Sequence, residues 1–160
     1  MSINQLTNFA NTFLSENFDG MQLEVPIKIN GRLTRALGRF KHYKAPKKPV
    51  VIELAKNTIE YYELEEILDV LKHELVHYAL YMQGKPYRDG DYCFESKLKE
   101  LGITGTEVYE CKGKVEVYAC DCGTYEYSRK LKYHKQYQGS NYTCRQCKKH
   151  LRYIGQQIVK

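Results

Sequence analysis

The sequence has no uninterrupted apolar run approaching the roughly 20 residues of a membrane-spanning helix, so no helix that crosses a membrane is expected. Its first 20 residues also lack the basic start and the apolar core of a secretory signal, so a cytoplasmic location is expected. There is no internal repeat, no low-complexity tract and no glycine-rich loop of the kind that cradles phosphates. The 160 residues are enough for one compact domain and a small additional module.

Acidic residues are scarce in the C-terminal third of the chain. Residues 111–160 hold 11 Lys or Arg and 3 Asp or Glu, a balance of +8, whereas the remaining residues sum to −2. Cations interleaved with aromatic rings suit a nucleic acid, because cations offset phosphates and rings stack on bases. A solvated basic surface whose tyrosines fill strand positions is the alternative. Seven of the 15 tyrosines lie in this segment: Tyr118, Tyr125, Tyr127, Tyr133, Tyr137, Tyr142 and Tyr153.

The stretch His73-Glu74-Leu75-Val76-His77 is the most informative motif of the chain. Histidines four residues apart lie on one helix face, so both imidazoles can reach a single metal ion. Glu74 can then contact a water on that metal and take its proton, as in a zinc hydrolase. The surrounding segment, Glu63 to Met82, is apolar at helical spacing on two adjoining faces, which predicts a largely buried helix. Two structural histidines on a buried helix are the alternative to a metal site.

Helical and strand patterns alternate around this motif and predict an α+β domain. The Asn30-Gly31 pair predicts a hairpin between two of the strands, and Gly38 is expected to allow a bulge or a bend. The predicted elements outside the motif are a helix over 3–17, strands over 23–30, 32–43 and 50–54, and a short helix over 94–101.

From Val115 onward the pattern changes to short strands broken by glycines, and we place a domain boundary near residues 108–114. Cys120-Asp121-Cys122 and, 22 residues later, Cys144-Arg145-Gln146-Cys147 each form a pair that can make one knuckle of a four-sulfur zinc ribbon. Cys111 could substitute for one ligand, because the first pair is spaced more tightly than is usual. A redox dithiol would need a βαβ context that this segment lacks.

A catalytic zinc needs a third protein ligand and an open position. None of the other histidines follows soon after the motif. Three carboxylates do follow it, and each is an acceptable zinc ligand: Asp89, Asp91 and Glu95. The residues alone leave the choice among them open, since each carboxylate could also cap a helix or solvate a loop.

Taken together, the histidine motif and the two cysteine pairs show that the chain resembles the SprT-like family. The resemblance covers nearly the whole length, from about Leu6 to Ile154. The combination of the histidine motif with a ribbon of this spacing is more specific than either part. The other matching segments are Leu37-Gly38-Arg39-Phe40, the strand Val50 to Leu54, Gly84-Lys85-Pro86-Tyr87-Arg88, Phe94 with its helix, Tyr118-x-Cys120-x-Cys122 and Tyr142-x-Cys144-x-x-Cys147.

The resemblance implies a minimal zincin-like metalloprotease domain over residues 1–110 and a small β zinc ribbon over residues 111–160. It implies His73 and His77 as zinc ligands and Glu74 as the catalytic base. The family's third ligand is a histidine after the helix, and counting from His77 that position holds Asp89, with Asp91 as the alternative. One catalytic and one structural zinc are therefore expected, the latter on Cys120, Cys122, Cys144 and Cys147.

The expected function is that of a zinc-dependent metallopeptidase that cuts DNA-associated proteins, with the basic ribbon recruiting DNA. A binding module is the main alternative: the ribbon would hold nucleic acid, and the histidine motif would be structural or degenerate. A non-proteolytic metal hydrolase is a third interpretation.

Overall fold

The computed structural model describes residues 2–105, 109–128 and 139–160, with residues 139–142 described as backbone. The predicted basic and aromatic residues between 129 and 138, Tyr133 and Tyr137 among them, lie outside these ranges. The chain divides into two compact units, Met1–Tyr109 and Glu110–Lys160. In the described part of the chain, no helix is both long enough and apolar enough to cross a membrane.

Over the part that the structure describes, the first unit combines four helices with a three-stranded sheet, and the predicted α+β class is confirmed. Helix α1 begins after Ser2, whose side chain accepts a hydrogen bond from the backbone N–H of Gln5. Its apolar stripe is buried in the core with the inner faces of the sheet and of the central helix. The elements are α1 (Ile3–Asn17), β1 (Ile27–Asn30), β2 (Gly38–Tyr43), β3 (Lys48–Ala55), α2 (Lys56–Tyr61), α3 (Leu64–Met82) and α4 (Tyr92–Glu100).

The sheet has the order β1-β3-β2, so the hairpin predicted at Asn30-Gly31 is wrong. β1 runs parallel to β3. β2 pairs with the other edge of β3 and runs antiparallel to it. The side chain of Asn30 accepts a hydrogen bond from the backbone N–H of Arg32, a local turn that redirects the chain without pairing the strands. β3 takes the centre because every residue from Val51 to Ala55 is buried. The register shift of the sheet falls between Lys41 and His42 rather than at Gly38.

Helix α3 is the centre of the first unit, as its apolar pattern predicts. Glu63 and Glu66 form a reciprocal capping box at its start, and acidic side chains in the first turn complement the helix dipole. Leu64 belongs to the apolar pattern of the segment but is 55% exposed, because it is the first residue of the helix. The helix is otherwise buried on most of its circumference, and His73 and Glu74 are buried with it.

In its described residues, the second unit forms a four-stranded antiparallel sheet with the order β5-β4-β7-β6. Among its described residues, one buried cluster consists of Tyr118, Cys120, Cys144 and Leu151, and Val115, Val117 and Ala119 are buried as well. Two of the four cluster residues are cysteines, so the cluster itself contains little apolar material. The strands are β4 (Gly113–Ala119), β5 (Tyr125–Ser128), β6 (Gly139–Thr143) and β7 (His150–Val159).

Candidate metal centres

Three potential ligand atoms converge beside helix α3. The Nε2 atoms of His73 and His77 lie 3.2 Å apart. Asp89 Oδ1 lies 3.2 Å from Nε2 of His73 and 3.5 Å from Nε2 of His77. Ligand atoms at about 2.1 Å from a tetrahedral metal lie about 3.4 Å from one another, so this triangle has the dimensions of a zinc site. The set of two imidazoles and one carboxylate is also chemically suited to zinc.

A backbone contact orients His77 for ligation. Its Nδ1 lies 2.5 Å from the carbonyl oxygen of Tyr87, and because a carbonyl only accepts, Nδ1–H is the donor. The lone pair of the neutral ring is then on Nε2, the atom that faces Asp89. The imidazole also stacks on the ring of Phe94 with the centroids 4.0 Å apart. Metal-ligating histidines commonly have such a second contact, which fixes both tautomer and ring orientation.

Burial favours the neutral imidazoles that a metal requires. Burial, and then the charge of His77, lowers the pKa of His73 to about 4. Burial also lowers the pKa of His77, against the opposing effects of the Tyr87 carbonyl and of Asp89. Among the described residues, Nδ1 of His73 is buried without a hydrogen-bond partner.

The loop after α3 explains why Asp89, and not the other two carboxylates, faces the histidines. Oδ2 of Asp91 accepts a hydrogen bond from the backbone N–H of Arg88 at 2.8 Å. Oε1 of Glu95 accepts one from the backbone N–H of Gly90, also at 2.8 Å. These two carboxylates hold the loop on either side of Asp89, and Asp89 alone joins His73 and His77 within ligand distance.

Glu74 is buried on the same helix, next to the first histidine. Its Oε2 accepts a 2.7 Å hydrogen bond from the backbone N–H of Phe40 in strand β2. Burial raises the pKa of Glu74 to about 8, although the Phe40 hydrogen bond opposes the shift. The carboxyl is therefore held in one place by the sheet and can exchange a proton near neutral pH.

Gly38 makes room for Glu74, a role that the sequence analysis missed. A Cβ atom at Gly38 would lie 2.9 Å from Cγ of Glu74 and 2.9 Å from Cγ1 of Val70. Distances this short do not occur in well-packed cores, so only glycine allows β2 to approach the helix here. A glycine inside the strand predicted over 32–43 was the only signal, and it does not name the partner.

Replacing Gly38 with alanine should destabilise the protein by about 1–3 kcal/mol, because the added methyl overpacks the contact with Val70 and Glu74. Urea denaturation of the variant beside the wild type measures the difference. Gly31→Ala is the matched control, since its Cβ would come no closer than 3.9 Å, to Lys56. Equal losses in the two variants would contradict the assigned role of Gly38.

The second group of potential ligands is the four cysteines of the second unit, whose sulfur atoms lie within 4.8 Å of one another. Sγ of Cys120 is 3.1 Å from that of Cys147, and Sγ of Cys122 is 3.7 Å from that of Cys144. Sulfurs at about 2.3 Å from a tetrahedral zinc lie about 3.8 Å apart, so the cluster fits a structural site. Cys111, the possible substitute, is outside the cluster, as is Cys93.

Two tight turns bring the cysteine pairs together. The backbone N–H of Cys120 donates to the carbonyl of Thr124 at 2.8 Å, and that of Cys144 donates to Lys149 at 2.7 Å. Hydrogen bonds from Thr124 lower the pKa of Cys122 to about 6, which favours the thiolate that binds zinc.

Comparison with known proteins identifies the family. The family model described as the SprT-like family matches residues 3–111. A protein named SprT-like from Bacillus cereus (strain G9842) is 30% identical over 145 residues, 88% of this chain and 90% of the relative.

Two further relatives with the same name match shorter segments. The protein of Geobacillus sp. (strain WCH70) is 33% identical over 60% of this chain, and the match spans 63% of that relative's length. The protein of Anoxybacillus flavithermus is 36% identical over 64% of this chain and 68% of the relative. The match to the family model covers most of the chain and includes His73, Glu74, His77 and Asp89, and the chain belongs to the SprT-like family.

Proposed function

We propose that this protein is a zinc-dependent metallopeptidase that acts on DNA-associated proteins in the cytoplasm. Its catalytic part would be a minimal zincin-like domain, and its C-terminal unit would be a zinc ribbon. The observation that carries the proposal is the convergence of His73, His77 and Asp89 beside the buried carboxyl of Glu74. Six free thiols accord with a reducing compartment.

The residues of the first unit divide the proposed reaction between them. His73, His77 and Asp89 would hold the zinc, which when bound lowers the pKa of a water and polarises a peptide carbonyl. Glu74 would accept a proton from a water as the water attacks the peptide carbonyl, and would later return the proton to the leaving amine. The Phe40 N–H keeps the carboxyl of Glu74 in position through both transfers.

The charge and aromatic exposure of the ribbon support a nucleic-acid partner. Arg145 has a 92% exposed side chain, and Lys148 and Lys149 are exposed beside the cysteine cluster. Tyr125 and Tyr127 on strand β5 present exposed rings. Cations that bind phosphates and rings that stack on bases would bring the peptidase to proteins on DNA.

Elemental analysis should find two zinc ions per chain in the wild type and one in His77→Ala. The substitution removes one of three ligands of the helix site and leaves the four cysteines intact. His150→Ala, a histidine outside both clusters, is the control and should retain two. A single zinc in the wild type, unaffected by His77→Ala, would overturn the peptidase proposal and favour a nucleic-acid-binding ribbon with a degenerate histidine motif.

A further inference from the structure

Five exposed cations surround the C-terminal end of helix α3 in the first unit. Three are in or next to the turn between β2 and β3, and two are in the loop that follows α3. We call this group the basic rim. Its members are Lys44, Lys47, Lys48, Lys85 and Arg88.

Tertiary contacts hold the two segments of the basic rim together. The hydroxyl of Tyr81 donates to the carbonyl of Tyr43 at 2.8 Å. The hydroxyl of Tyr87 lies 3.1 Å from Nε2 of His42. Nζ of Lys47 lies 4.7 Å from the centre of the Tyr81 ring. Packed aromatic residues thus bring the two segments that carry the cations to one surface, although the segments lie about 40 residues apart in sequence.

The segments of the basic rim contain no carboxylates of their own, although Asp89 and Asp91 follow Arg88 in the chain. Residues 41–52 and 83–88 contain no Asp or Glu. Within the described ranges, none of the five side chains forms an ion pair with a carboxylate. Residues 1–110 as a whole carry a net charge of −2, so the positive surface results from the placement of the cations and not from composition.

The basic rim adjoins the helix metal site. Tyr87, whose hydroxyl contacts His42, also accepts the hydrogen bond of His77 Nδ1 through its carbonyl. Arg88 directly precedes Asp89 in the chain. Tyr43, in the first rim segment, presents a ring that is 60% exposed beside Lys44.

We propose that the basic rim binds the phosphate backbone of a nucleic acid strand alongside the helix metal site, with Tyr43 stacking on a base. The first unit would then contact nucleic acid by itself, in addition to the ribbon. The link to peptide cleavage rests on the proposed function, whereas strand binding does not. A strand bound here would hold its attached protein beside Glu74, so cleavage would favour peptide segments close to the nucleic acid.

Lys47 also has a structural role and is left in place in the test. Helix α3 has no basic residue in its last turn, and Lys47 lies against Tyr81 and close to Gly84 at that end. A cation there complements the helix dipole whether or not a strand binds. The variant therefore replaces Lys44, Lys48 and Lys85 with glutamine.

The test is fluorescence anisotropy of labelled oligothymidylate with the full chain, titrated across a series of salt concentrations. The control variant replaces Lys28, Lys56 and Lys99, three exposed lysines of the same unit outside the rim. Both variants lose the same net charge, so any difference in affinity or in salt dependence between them reports the position of the lysines. The rim variant should lower the slope of log K against log salt by about 2, and the affinity near 0.1 M salt by about ten-fold. Tyr43→Ser should weaken binding several-fold with the slope unchanged.

Equal slopes for the rim and control variants would overturn the inference, and the strand contacts would then be assigned to the ribbon. Because the titration measures binding and not hydrolysis, it can be performed in the Glu74→Gln background. If the metallopeptidase proposal failed, the difference in slopes between the rim and control variants would still be expected. Failure of that proposal is therefore distinguishable from failure of the basic-rim inference.

Discussion

Replacement of Glu74 by glutamine should reduce hydrolysis of a basic protein bound to an oligonucleotide by about 10²–10⁴-fold, with two zinc ions still bound. Glutamine keeps the shape of the side chain and can still accept the hydrogen bond from Phe40 N–H, but it cannot take a proton from water. The rate of hydrolysis is measured by following product formation with gel electrophoresis. Glu65→Gln, the same change at an exposed position of α3, is the control and should cleave like the wild type.

The same variant should be more stable than the wild type when metal is removed with a chelator, which separates a catalytic loss from misfolding. Burial raises the pKa of Glu74 from 4.5 to about 8 in the folded protein. The unfolded state therefore releases the Glu74 proton at lower pH than the folded state does. The wild type loses stability as the pH rises from the unfolded pKa towards the folded pKa. Glutamine does not titrate, so the gap in thermal midpoints should widen from about pH 5 to pH 8. A less stable variant with equally reduced activity would contradict the catalytic assignment.

Replacement of Cys144 by serine should remove one zinc and unfold the second unit while the first unit stays folded. Structural zinc sites of this kind contribute on the order of 10–16 kcal/mol of apparent binding free energy. The buried apolar residues described in the second unit, besides Cys120 and Cys144, are few and mostly small: Val115, Val117, Tyr118, Ala119 and Leu151. So small a core should hold the sheet only weakly without the metal. Hydrogen exchange with mass spectrometry should show β4 and β7 losing protection and α3 retaining it.

Cys111→Ser provides the matched control for this experiment. Cys111 belongs to the same unit and lies outside the four-sulfur cluster. The Cys111→Ser protein should keep two zinc ions and normal protection from hydrogen exchange in β4 and β7. A Cys144→Ser protein that retained both would show that the cluster is a set of core thiols.

Local spacing made α3 and the two sets of motif residues predictable from the sequence. The helix follows from apolar residues at intervals of three and four, and the same geometry brings His73 and His77 to one face. The cysteine pairs are similarly local, because each lies in one tight turn. The residues alone did not choose among the three downstream carboxylates, and only the family resemblance pointed to Asp89. The position of Asp89 beside the histidines depends on the path of the loop, which is held by hydrogen bonds from Arg88 and Gly90.

Features set by distant parts of the chain could not be predicted. The parallel pairing of β1 with β3 depends on which strand is most buried, and the local Asn30-Gly31 pattern indicated a hairpin instead. The contact between Gly38 and Glu74 joins residues 36 positions apart and has no periodic signature. The Phe40 N–H that holds Glu74 is a backbone group, and a backbone group leaves no mark in the sequence.

The three proposed ligands of the helix site differ widely in their access to solvent. The side chains of His73 and His77 are 8% and 12% exposed, whereas that of Asp89 is 79% exposed. Ligands dissociate from a metal one at a time, and water reaches the aspartate side of this site first. Exchange of a bound ion with solvent would therefore be expected to begin at Asp89, while the two buried histidines keep their contact with the ion longest.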